Sequence, residues 1–547
     1  MPLPLLPSAL VDSFARDRLP PPEQWPELVF DLPELRFPDQ LNCAAALLDA
    51  RVAQGEGERL AIQGEGVRWT YAELQAQVNR IANELVDGLG LVSGNRVLLR
   101  GANTPMLAAC WLAVVKAGGI AVGSMPLLRA KELKQIVDKA QISHALCDAR
   151  LAEEMQLTRA DGGAASLREV VLFRSDAPDA LEARAARRSD RFDAVTTSAD
   201  DVCLMAFTSG TTGTPKATMH FHRDVMAACA CWPAHVLRAT RDDVFIGSPP
   251  LAFTFGLGGL LLFPMSVGAS TVLIEKATPD TLPAAIERYR ATVCFTAPTS
   301  YRAIAMALAN GGPKHDLGSL RKCVSAGEAL PAATRKLWRD TTGIEIIDGI
   351  GSTEMLHIFI SADEAHARPG ATGLPVPGYR ACIVDDEGHA LPRGQVGRLA
   401  VKGPTGCKYL ADDRQRQYVQ NGWNLTGDAY LVDTDGQYVY QARTDDMIIS
   451  GGYNIAGPEV ESALLLHPAV AECGVIGLAD VDRGQIVKAF IVLKPGHQGD
   501  EAMTKTLQDF VKQSIAPYKY PRAIEYLAQL PRTETGKLQR FRLRQPV

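Results

Sequence analysis

The sequence predicts an α/β protein with a large N-terminal domain of packed α/β sheets, a small β subdomain and a small α+β C-terminal domain. The first observation is that β-branched runs alternate with a helical pattern, as in "STVLIE" (270–275), "TLPAAIERYR" (281–290) and "TVCFTA" (292–297). The second is a change near Gly378, where strands with Asp-Gly turns predict the β subdomain. The third is a strand, glycine turn and helix pattern over 441–470, which predicts the start of the C-terminal domain.

These changes in pattern predict the domain boundaries. We expect an N-terminal domain over 1–443, with the β subdomain at about 378–443, and a C-terminal domain over 444–547. Residues 160–200, rich in Ala, Gly, Arg and Asp, are interpreted as surface connections between elements.

Composition and charge narrow the class of protein. The chain has 57 Lys+Arg and 62 Asp+Glu, a net charge of −5, so no strong field recruits nucleic acid or an anionic membrane. The stretch 255–274 is long and apolar enough to imitate a membrane span, but Pro264 and its small neighbours favour a buried loop, helix and strand. The eleven cysteines lack disulfide or zinc spacing, since Cys229 and Cys231 have no second pair. We expect a cytoplasmic enzyme with small-molecule partners, and both a monomer and a homodimer stay open.

A loop rich in glycine and hydroxyl groups follows the apolar strand "VCLMAF" (202–207). Its glycines expose backbone N–H groups, its hydroxyls donate hydrogen bonds and Lys216 supplies positive charge, which are the parts of a phosphate cradle. The spacing G-x-x-G-x-x-K and Pro215 distinguish it from a Walker loop. A solvent-exposed linker is the alternative, but a lysine directly after a Gly-Thr-Pro turn favours phosphate binding. The other residues assigned to this loop are Thr208, Ser209, Gly210, Thr211, Thr212 and Gly213.

Six collinear motifs resemble those of the adenylate-forming superfamily, which contains acyl-CoA synthetases, luciferases and peptide-synthetase adenylation domains. They span roughly residues 40–544. A single such motif would be weak evidence for the superfamily, but six motifs in the same order are specific to it. The resemblance implies a ligase that uses ATP and Mg²⁺, with a C-terminal domain that is mobile about a hinge at Asp445. The motifs are the phosphate loop, "SAGEAL" (325–330), "DGIGSTEM" (348–355), "TGD" (426–428), "ARTDDMI" (442–448) and "PRTETGKLQR" (531–540).

The resemblance also implies roles for individual residues. Lys537 would bridge the attacking carboxylate and the α-phosphate, Thr353 would contact the α-phosphate, and Glu354 would hold Mg²⁺. Asp428 would accept both ribose hydroxyls, and Arg443 would contact the ribose. Taken without the motifs, Asp428 also fits an ordinary turn and Arg443 an interdomain ion pair. The other implied nucleotide and thiol residues are Gly327, Glu328, Asp348, Gly349, Ile350, Ser450, Gly451, Gly452 and Tyr453.

Two further segments would enclose the acid, "PPLAFTFGLGG" (249–259) and "STEMLHIFI" (352–360). Their apolar and aromatic side chains, with few polar anchors, fit a small aromatic carboxylate. The string "GIGSTEMLHIF" resembles benzoate-type aryl-CoA ligases, and residues 14–49 and 403–428 resemble the 2-aminobenzoate members of that branch. The residues assigned to the acid are Phe253, Thr254, Phe255, Gly327, Gly351, His357 and Ile358.

The function that we expect is AMP-forming acid–thiol ligation. The acid, 2-aminobenzoate or benzoate with hydroxybenzoate as an alternative, would form aryl-AMP and then aryl-CoA, as in the degradation of aromatic acids. A second hypothesis keeps adenylation but loads the aryl group onto a carrier-protein phosphopantetheine. A third hypothesis is a non-catalytic nucleotide-binding relative, against which the intact Lys216, Glu354, Asp428 and Lys537 argue.

Overall fold

The computed structural model gives the helices and strands of most of the chain. It describes residues 5–64, 66–159, 164–208, 215–313, 315–444, 446–450, 453–480, 483–515, 517–532 and 538–544. The strands are β1 (Leu60–Gly64), β2 (Val67–Thr70), β3 (Arg96–Arg100), β4 (Ile120–Ser124), β5 (His144–Asp148), β6 (Glu169–Phe173), β7 (Val202–Thr208), β8 (Lys216–Phe221), β9 (Val244–Gly247), β10 (Ser270–Val272), β11 (Val293–Thr296), β12 (Lys322–Ala326), β13 (Ile346–Gly351), β14 (Ile358–Ser361), β15 (Leu374–Pro375), β16 (Arg380–Val384), β17 (Gly397–Lys402), β18 (Val419–Gln420), β19 (Trp423–Val432), β20 (Tyr438–Arg443), β21 (Ile448–Ser450), β22 (Tyr453–Ile455), β23 (Val470–Asp480), β24 (Gly484–Leu493) and β25 (Ala523–Tyr526).

Helices connect most of these strands. The α-helices are α1 (Tyr71–Asn83), α2 (Pro105–Lys116), α3 (Ala130–Ala140), α4 (Ala152–Arg159), α5 (Leu181–Ala185), α6 (His222–Trp232), α7 (Thr254–Leu257), α8 (Phe263–Ser266), α9 (Leu282–Tyr289), α10 (Pro298–Ala309), α11 (Ala332–Thr342), α12 (Gln415–Tyr418), α13 (Gly457–Leu464), α14 (Glu501–Ser514) and α15 (Arg540–Leu543). Shorter 3₁₀ turns lie at Arg16–Arg18, Pro22–Gln24, Pro33–Leu35, Ala149–Leu151 and Pro517–Lys519, and π-helical turns at Ala45–Asp49, Val52–Glu56, Glu84–Gly88, Pro233–Leu237 and Gly258–Leu262.

Two mainly parallel sheets form the N-terminal part. Among the described residues, one sheet has the strand order β6-β5-β3-β4-β7-β8 and is parallel except at β7–β8. The other has the order β15-β14-β13-β12-β11-β9-β10-β1-β2, with a parallel centre and antiparallel ends. Strands that are covered on both faces have mainly apolar sequences, as in β3 and β4. The apolar helix α2 is almost entirely buried between these strands and α1. This packing places the carboxyl ends of β12 and β13 side by side.

Two smaller sheets follow in the chain. The antiparallel order β16-β17-β19-β18, with β20 on β19, is the β subdomain, and β22-β21-β24-β23, with β25 parallel to β24, carries α13 and α14. The expected α/β fold with a β subdomain and an α+β C-terminal part is thereby confirmed. Because β20 ends at Arg443 and β21 begins at Ile448, we propose the domain boundary near Thr444.

One predicted connection is an ordered part of a sheet. Residues 160–200 contain β6, an edge strand paired with β5, and the helix α5. Val171, Phe173 and Leu181 are buried in the core. The interpretation as surface connections was wrong because the short run "EVVLF" was outweighed by the polar composition around it.

The apolar stretch 255–274 is core, as the sequence predicts. It contributes α7, a π-helical turn, α8 and β10, and Pro264 lies in the first turn of α8. Within the described ranges, no helix combines the length and apolar character that crossing a membrane requires.

A buried ion pair joins α6 to the segment that follows β17. Lys408 Nζ lies 2.9 Å from Asp224 Oδ2 and donates to the carbonyl of Gly406 at 3.0 Å. The same ammonium lies 4.6 Å from the centre of the Phe221 ring. Both charged side chains are 0% exposed, so neither is solvated once its partner is removed.

We predict that Lys408→Met, which keeps the side-chain stem and removes the charge, lowers the free energy of unfolding by about 3–5 kcal/mol. The matched control is Lys134→Met, whose partner Asp138 lies one helical turn away on the exposed face of α3. That change should cost about 0.5 kcal/mol or less. Urea unfolding measures both variants, and equal midpoints would contradict the role assigned to the buried pair.

Candidate active site

A cleft of about 1670 Å³ opens where the ends of β12 and β13 face the β subdomain and the C-terminal sheet. Ligands of α/β sheets bind at the carboxyl ends of parallel strands, because the loops there converge. The sequence-predicted residues that line this cleft are Thr208, Lys216, Gly327, Glu328, Asp348, Gly349, Ile350, Gly351, Glu354, Asp428 and Arg443. The fold thus brings together residues that are far apart in the chain.

Some predicted residues lie outside the described part of the chain. Of those that are described, Ser450 is buried at the end of β21, and Tyr453 begins β22. Thr353 lies in the turn between β13 and β14, next to the lining residue Glu354. The predicted residues outside the described ranges are Ser209, Gly210, Thr211, Thr212, Gly213, Asp445, Gly451, Gly452 and Lys537.

Lys216, Tyr409 and Glu354 form a short chain of polar contacts on the cleft wall. Lys216 Nζ donates to the Tyr409 hydroxyl at 2.9 Å, and that hydroxyl donates to Glu354 Oε1 at 2.5 Å. Lys216 Nζ itself lies 3.6 Å from the same carboxylate oxygen. Burial, and then the neighbouring Glu354 carboxylate, raise the pKa of Tyr409 well above its ordinary value, so the hydroxyl stays a donor.

The turn that carries Thr353 is held from behind by side chains. His220 Nε2 lies 2.8 Å from the Thr353 carbonyl, and Thr405 Oγ1 donates to the Met355 carbonyl at 2.8 Å. Burial lowers the pKa of His220 to about 4, so at neutral pH the ring is uncharged and its Nε2–H donates to the carbonyl. Two hydrogen bonds from fully buried groups therefore fix the backbone on both sides of Glu354.

Asp428 and Arg443 face each other across neighbouring strands β19 and β20. Arg443 Nη1 lies 3.1 Å from Asp428 Oδ1 and donates to the Thr426 carbonyl at 3.2 Å. Gly427 between them has φ +76°, and an added Cβ would lie 2.7 Å from Arg443 Nη2. Burial raises the pKa of Asp428 and the guanidinium of Arg443 opposes that rise. Register and glycine thus place two predicted ribose residues side by side.

Asp348, in the middle of β13, is a strongly perturbed carboxylate on the cleft. Its Oδ1 is buried without a hydrogen-bond partner among the residues that the structure describes. Burial raises its pKa to about 7, while the positive charge of Arg335 acts in the opposite direction. The side chain is therefore poised to exchange a proton near neutral pH.

The C-terminal part of the chain touches the segment that follows β12. The Leu538 backbone N–H donates to Glu328 Oε1 at 3.1 Å, and Arg532 Nη1 lies 3.7 Å from the same oxygen. Arg302 Nε donates to the Ala471 carbonyl at 3.3 Å. These contacts close the cleft on its C-terminal side.

The predicted acid-binding residues divide into two groups. Gly327 and Gly351 line the cleft, whereas Phe253, Thr254, Phe255, His357 and Ile358 are not among its lining residues. Thr254, His357 and Ile358 are buried, and Phe255 packs on the core. Gly351 joins the two groups, because an added Cβ there would lie 2.6 Å from the His357 carbonyl.

His357 sits in a cage of aromatic rings. Its ring centre lies 4.4 Å from that of Phe263, 5.6 Å from Phe255 and 5.7 Å from Trp232. Nε2 lies 3.4 Å from the Phe255 carbonyl, and Nδ1 is buried with no partner in the described ranges. Burial lowers the pKa of His357 to about 3, so the ring is neutral and Nδ1 presents a lone pair.

Cys43, Cys203 and His222 form the one group within the described residues that resembles a metal site, with ligand atoms within 4.8 Å of one another. The Cys43 backbone N–H donates to His222 Nδ1 at 3.1 Å, which occupies the lone pair that a metal would need. All three are buried in the core away from the cleft. We interpret them as core packing.

Sequence reasoning missed the supporting residues His220, Thr405, Tyr409 and Arg335. The string "GPTGCKYLADDRQRQYVQNGWNLTGD" contains two of them and was used only for its likeness to a family. Its apolar and aromatic residues look like core, and the contacts to Glu354 and Met355 are long-range. The string contains Thr405 and Tyr409, but nothing in it indicates that they contact Met355 and Glu354.

We predict that Asp348→Asn raises the free energy of unfolding relative to wild type, and that this gain is larger at pH 8 than at pH 5 by roughly 2–3 kcal/mol. In the folded chain the pKa of Asp348 is about 7, above the unfolded value of about 3.9, so its stabilising contribution is present below pH 4 and is lost as pH rises through 7. Asparagine carries no titrating group and avoids that loss.

Denaturant unfolding at each pH measures the difference between variant and wild type. The surface change Asp242→Asn serves as control, because that side chain is 83% exposed. A pH-independent difference for Asp348→Asn would contradict the assignment.

Family models and solved structures provide the comparison. The AMP-binding enzyme model matches residues 49–409, and the AMP-binding enzyme C-terminal domain model matches residues 459–537. The benzoate–CoA ligase of Thauera aromatica is 36% identical over 517 residues, which are 94% of this chain and 97% of that protein.

Two solved structures share the fold over nearly the whole chain. The anthranilate CoA ligase AuaEII, in complex with anthranoyl-AMP, is 36% identical with a TM-score of 0.89, over 94% of this chain and 98% of that one. A benzoate CoA ligase from Burkholderia xenovorans LB400 is 32% identical with a TM-score of 0.83, over 92% of this chain and 100% of that one.

Proposed function

Because this chain belongs to the AMP-binding enzyme family, we propose that its cleft activates an aromatic carboxylate with ATP and transfers the acyl group to coenzyme A. The chain is an AMP-forming aryl-CoA ligase, which uses ATP, Mg²⁺ and coenzyme A. The observation that carries the proposed site is the meeting of Lys216, Glu354, Asp428 and Arg443 in one cleft.

Charge neutralisation is the main task of the first half-reaction, because the attacking carboxylate and the triphosphate are both anionic. In our proposal Lys216 binds the phosphates, Asp428 accepts the ribose hydroxyls, and Thr353 contacts the α-phosphate. Lys537 stabilises the charge that develops as the carboxylate attacks and pyrophosphate leaves. The contact of Leu538 with Glu328 supports this orientation, since it brings the residue after Lys537 to the cleft.

The donor set fits magnesium. The ion favours one or two carboxylates together with phosphate oxygens and water, and Glu354 supplies a carboxylate on the cleft beside Lys216. When bound, the ion neutralises phosphate charge and polarises the α-phosphate. Glu354 would hold it, and Lys216 would share the remaining phosphate charge.

The second half-reaction needs a different arrangement of the C-terminal domain. We propose that rotation about Asp445 withdraws Lys537 and brings Ser450, Gly451, Gly452 and Tyr453 to line the thiol path. The polar contacts of Glu328 with Leu538 and Arg532 would have to break in this rotation. The reaction would take place in the cytoplasm, which suits a chain whose eleven cysteines are all free.

For the acid we propose 2-aminobenzoate. Its ortho-amino group is a donor, and the buried Nδ1 of His357 is a lone pair without a partner among the described residues. The aromatic rings packed on His357 make its surroundings apolar, which would favour an aromatic acid next to it. The likeness to a ligase solved with anthranoyl-AMP supports the same choice, whereas the benzoate ligases among the relatives favour benzoate.

The test is pyrophosphate release with ATP, Mg²⁺ and a panel of aryl acids, with and without coenzyme A, followed by mass analysis of the thioester. We expect 2-aminobenzoate to give the highest kcat/KM and coenzyme A to be consumed. Adenylation without use of coenzyme A would favour carrier-protein loading, and no turnover with any aryl acid would overturn the proposal.

We predict that His357→Ala lowers the ratio of kcat/KM for 2-aminobenzoate over benzoate by about 2–10-fold, since a neutral hydrogen bond contributes about 0.5–1.5 kcal/mol. Benzoate lacks the donor and should suffer only the loss of packing. Steady-state kinetics with both acids gives the ratio.

Phe255→Ala is the control for packing, because Phe255 neighbours His357 without offering a hydrogen-bonding side chain. It should weaken both acids by about 1–3 kcal/mol and leave their ratio unchanged. A constant ratio in His357→Ala as well would assign His357 to packing alone.

A further inference from the structure

Tyr409 lies between the two charged residues that the proposed reaction uses most. Its hydroxyl accepts a hydrogen bond from Lys216 and donates one to Glu354 Oε1. Within the described part of the chain, both contacts to Glu354 fall on Oε1, and no hydrogen bond or ion pair reaches Oε2. The hydroxyl therefore binds one carboxylate oxygen and leaves the other unpaired.

Backbone pairing fixes Tyr409 in this place. The Met219 N–H donates to the Lys408 carbonyl at 2.8 Å, and the Leu410 N–H donates to the Ala217 carbonyl at 2.9 Å. These bonds set Tyr409 opposite Thr218 on β8. Since alternate residues of a strand share a face, Lys216 lies on the same face as Thr218, diagonal to Tyr409.

The ring of Tyr409 is also held firmly. It is 1% exposed, packs edge-on against Tyr418 at 5.9 Å, and lies 4.9 Å from Lys216 Nζ. Close packing around the buried ring restricts its movement, so the position of its hydroxyl is well defined. The Lys216 side chain is 22% exposed and has a long stem with several rotatable bonds, so it can adjust its position more readily than the buried ring.

Lys216 Nζ and Glu354 Oε1 form a salt bridge at 3.6 Å, which is longer than a hydrogen bond. Without the hydroxyl, the two groups could close to hydrogen-bond distance. That closer ion pair would compete for Lys216 with the phosphates and for Glu354 with a hard cation, and the neutral hydroxyl between the charges prevents it.

We propose that Tyr409 is a positioning residue that separates Lys216 from Glu354 and binds one Glu354 oxygen, so that the other oxygen is left for the magnesium ion accompanying ATP. The inference rests on the proposed function for the roles of Lys216 and Glu354. It assigns Tyr409 no contact with the substrates.

The test compares full-length wild type, Tyr409→Phe and Tyr418→Phe by calorimetric titration of ATP without aryl acid, over a series of Mg²⁺ concentrations and in EDTA. Tyr409→Phe should raise the Kd for ATP at low Mg²⁺ about tenfold, because a hydrogen bond to a charged group is lost. The Kd in EDTA should change less, since Glu354 then has no cation to hold. The KM for the aryl acid should stay the same.

Tyr418→Phe is the matched control, because it removes the same atom from the neighbouring ring. The Tyr418 hydroxyl lies 3.1 Å from Ser352 Oγ, and Tyr418 makes no described hydrogen bond to Lys216 or Glu354. Its Mg²⁺ dependence should equal that of wild type. An unchanged Mg²⁺ dependence in Tyr409→Phe, or an equal change in both variants, would overturn the inference.

A double variant separates positioning from general damage. In the isosteric Glu354→Gln background, Tyr409→Phe should produce no further change in Mg²⁺ dependence, since the carboxylate is already lost. Additive effects of the two substitutions would show that Tyr409 does not act through the Glu354 carboxylate. If wild type binds ATP with Mg²⁺ but activates no aryl acid, the proposed function fails and the calorimetric comparison still decides this inference.

Discussion

The pairing of residues 408–410 with β8 is the constraint on which the rest of the site depends. Two backbone hydrogen bonds bring this segment against the strand that begins with Lys216. The same segment delivers Tyr409 to Glu354 and Lys408 to Asp224, and Thr405, just before it, reaches the Met355 carbonyl. One short stretch of extended chain thus fixes Lys216, Glu354 and the turn between β13 and β14.

The charged groups in and behind the cleft differ in how their charge is compensated. Lys408 and Asp224 are fully buried and neutralise each other, so their role is structural. Asp428 is buried beside Arg443, whose charge opposes the rise in its pKa. Asp348 has a buried Oδ1 without a partner among the described residues, and desolvation raises its pKa to about 7 against the opposing charge of Arg335. An anionic nucleotide would meet a cleft whose carboxylates are partly neutralised before it arrives.

Local sequence patterns predicted the elements, and motifs predicted the cleft. The alternation of β-branched runs and amphipathic helices is a local property, which is why the α/β class and the core role of residues 255–274 followed from it. The lining residues from Thr208 to Arg443 followed from collinear motifs. Contacts such as Tyr409 with Glu354 depend on strand pairing between distant segments, and no local pattern encodes them. The strand β6 was missed for a related reason, because its pairing with β5 outweighs a polar neighbourhood.

The packing around His357, which we propose to bind the acid, is determined by the fold before any ligand is considered. Glycines at 258, 349 and 351 lie where an added Cβ would meet His357 or Ile358, so these two residues are packed closely against the backbone. Burial keeps His357 neutral, which removes an attraction for a carboxylate and leaves a single hydrogen-bond acceptor. An uncharged cage cannot favour the acid group itself, so in our proposal the carboxylate would be recognised on the cleft side, where Lys216 lies. Selection among aryl acids would then depend on ring shape and on one lone pair, while activation would depend on the charged groups of the cleft.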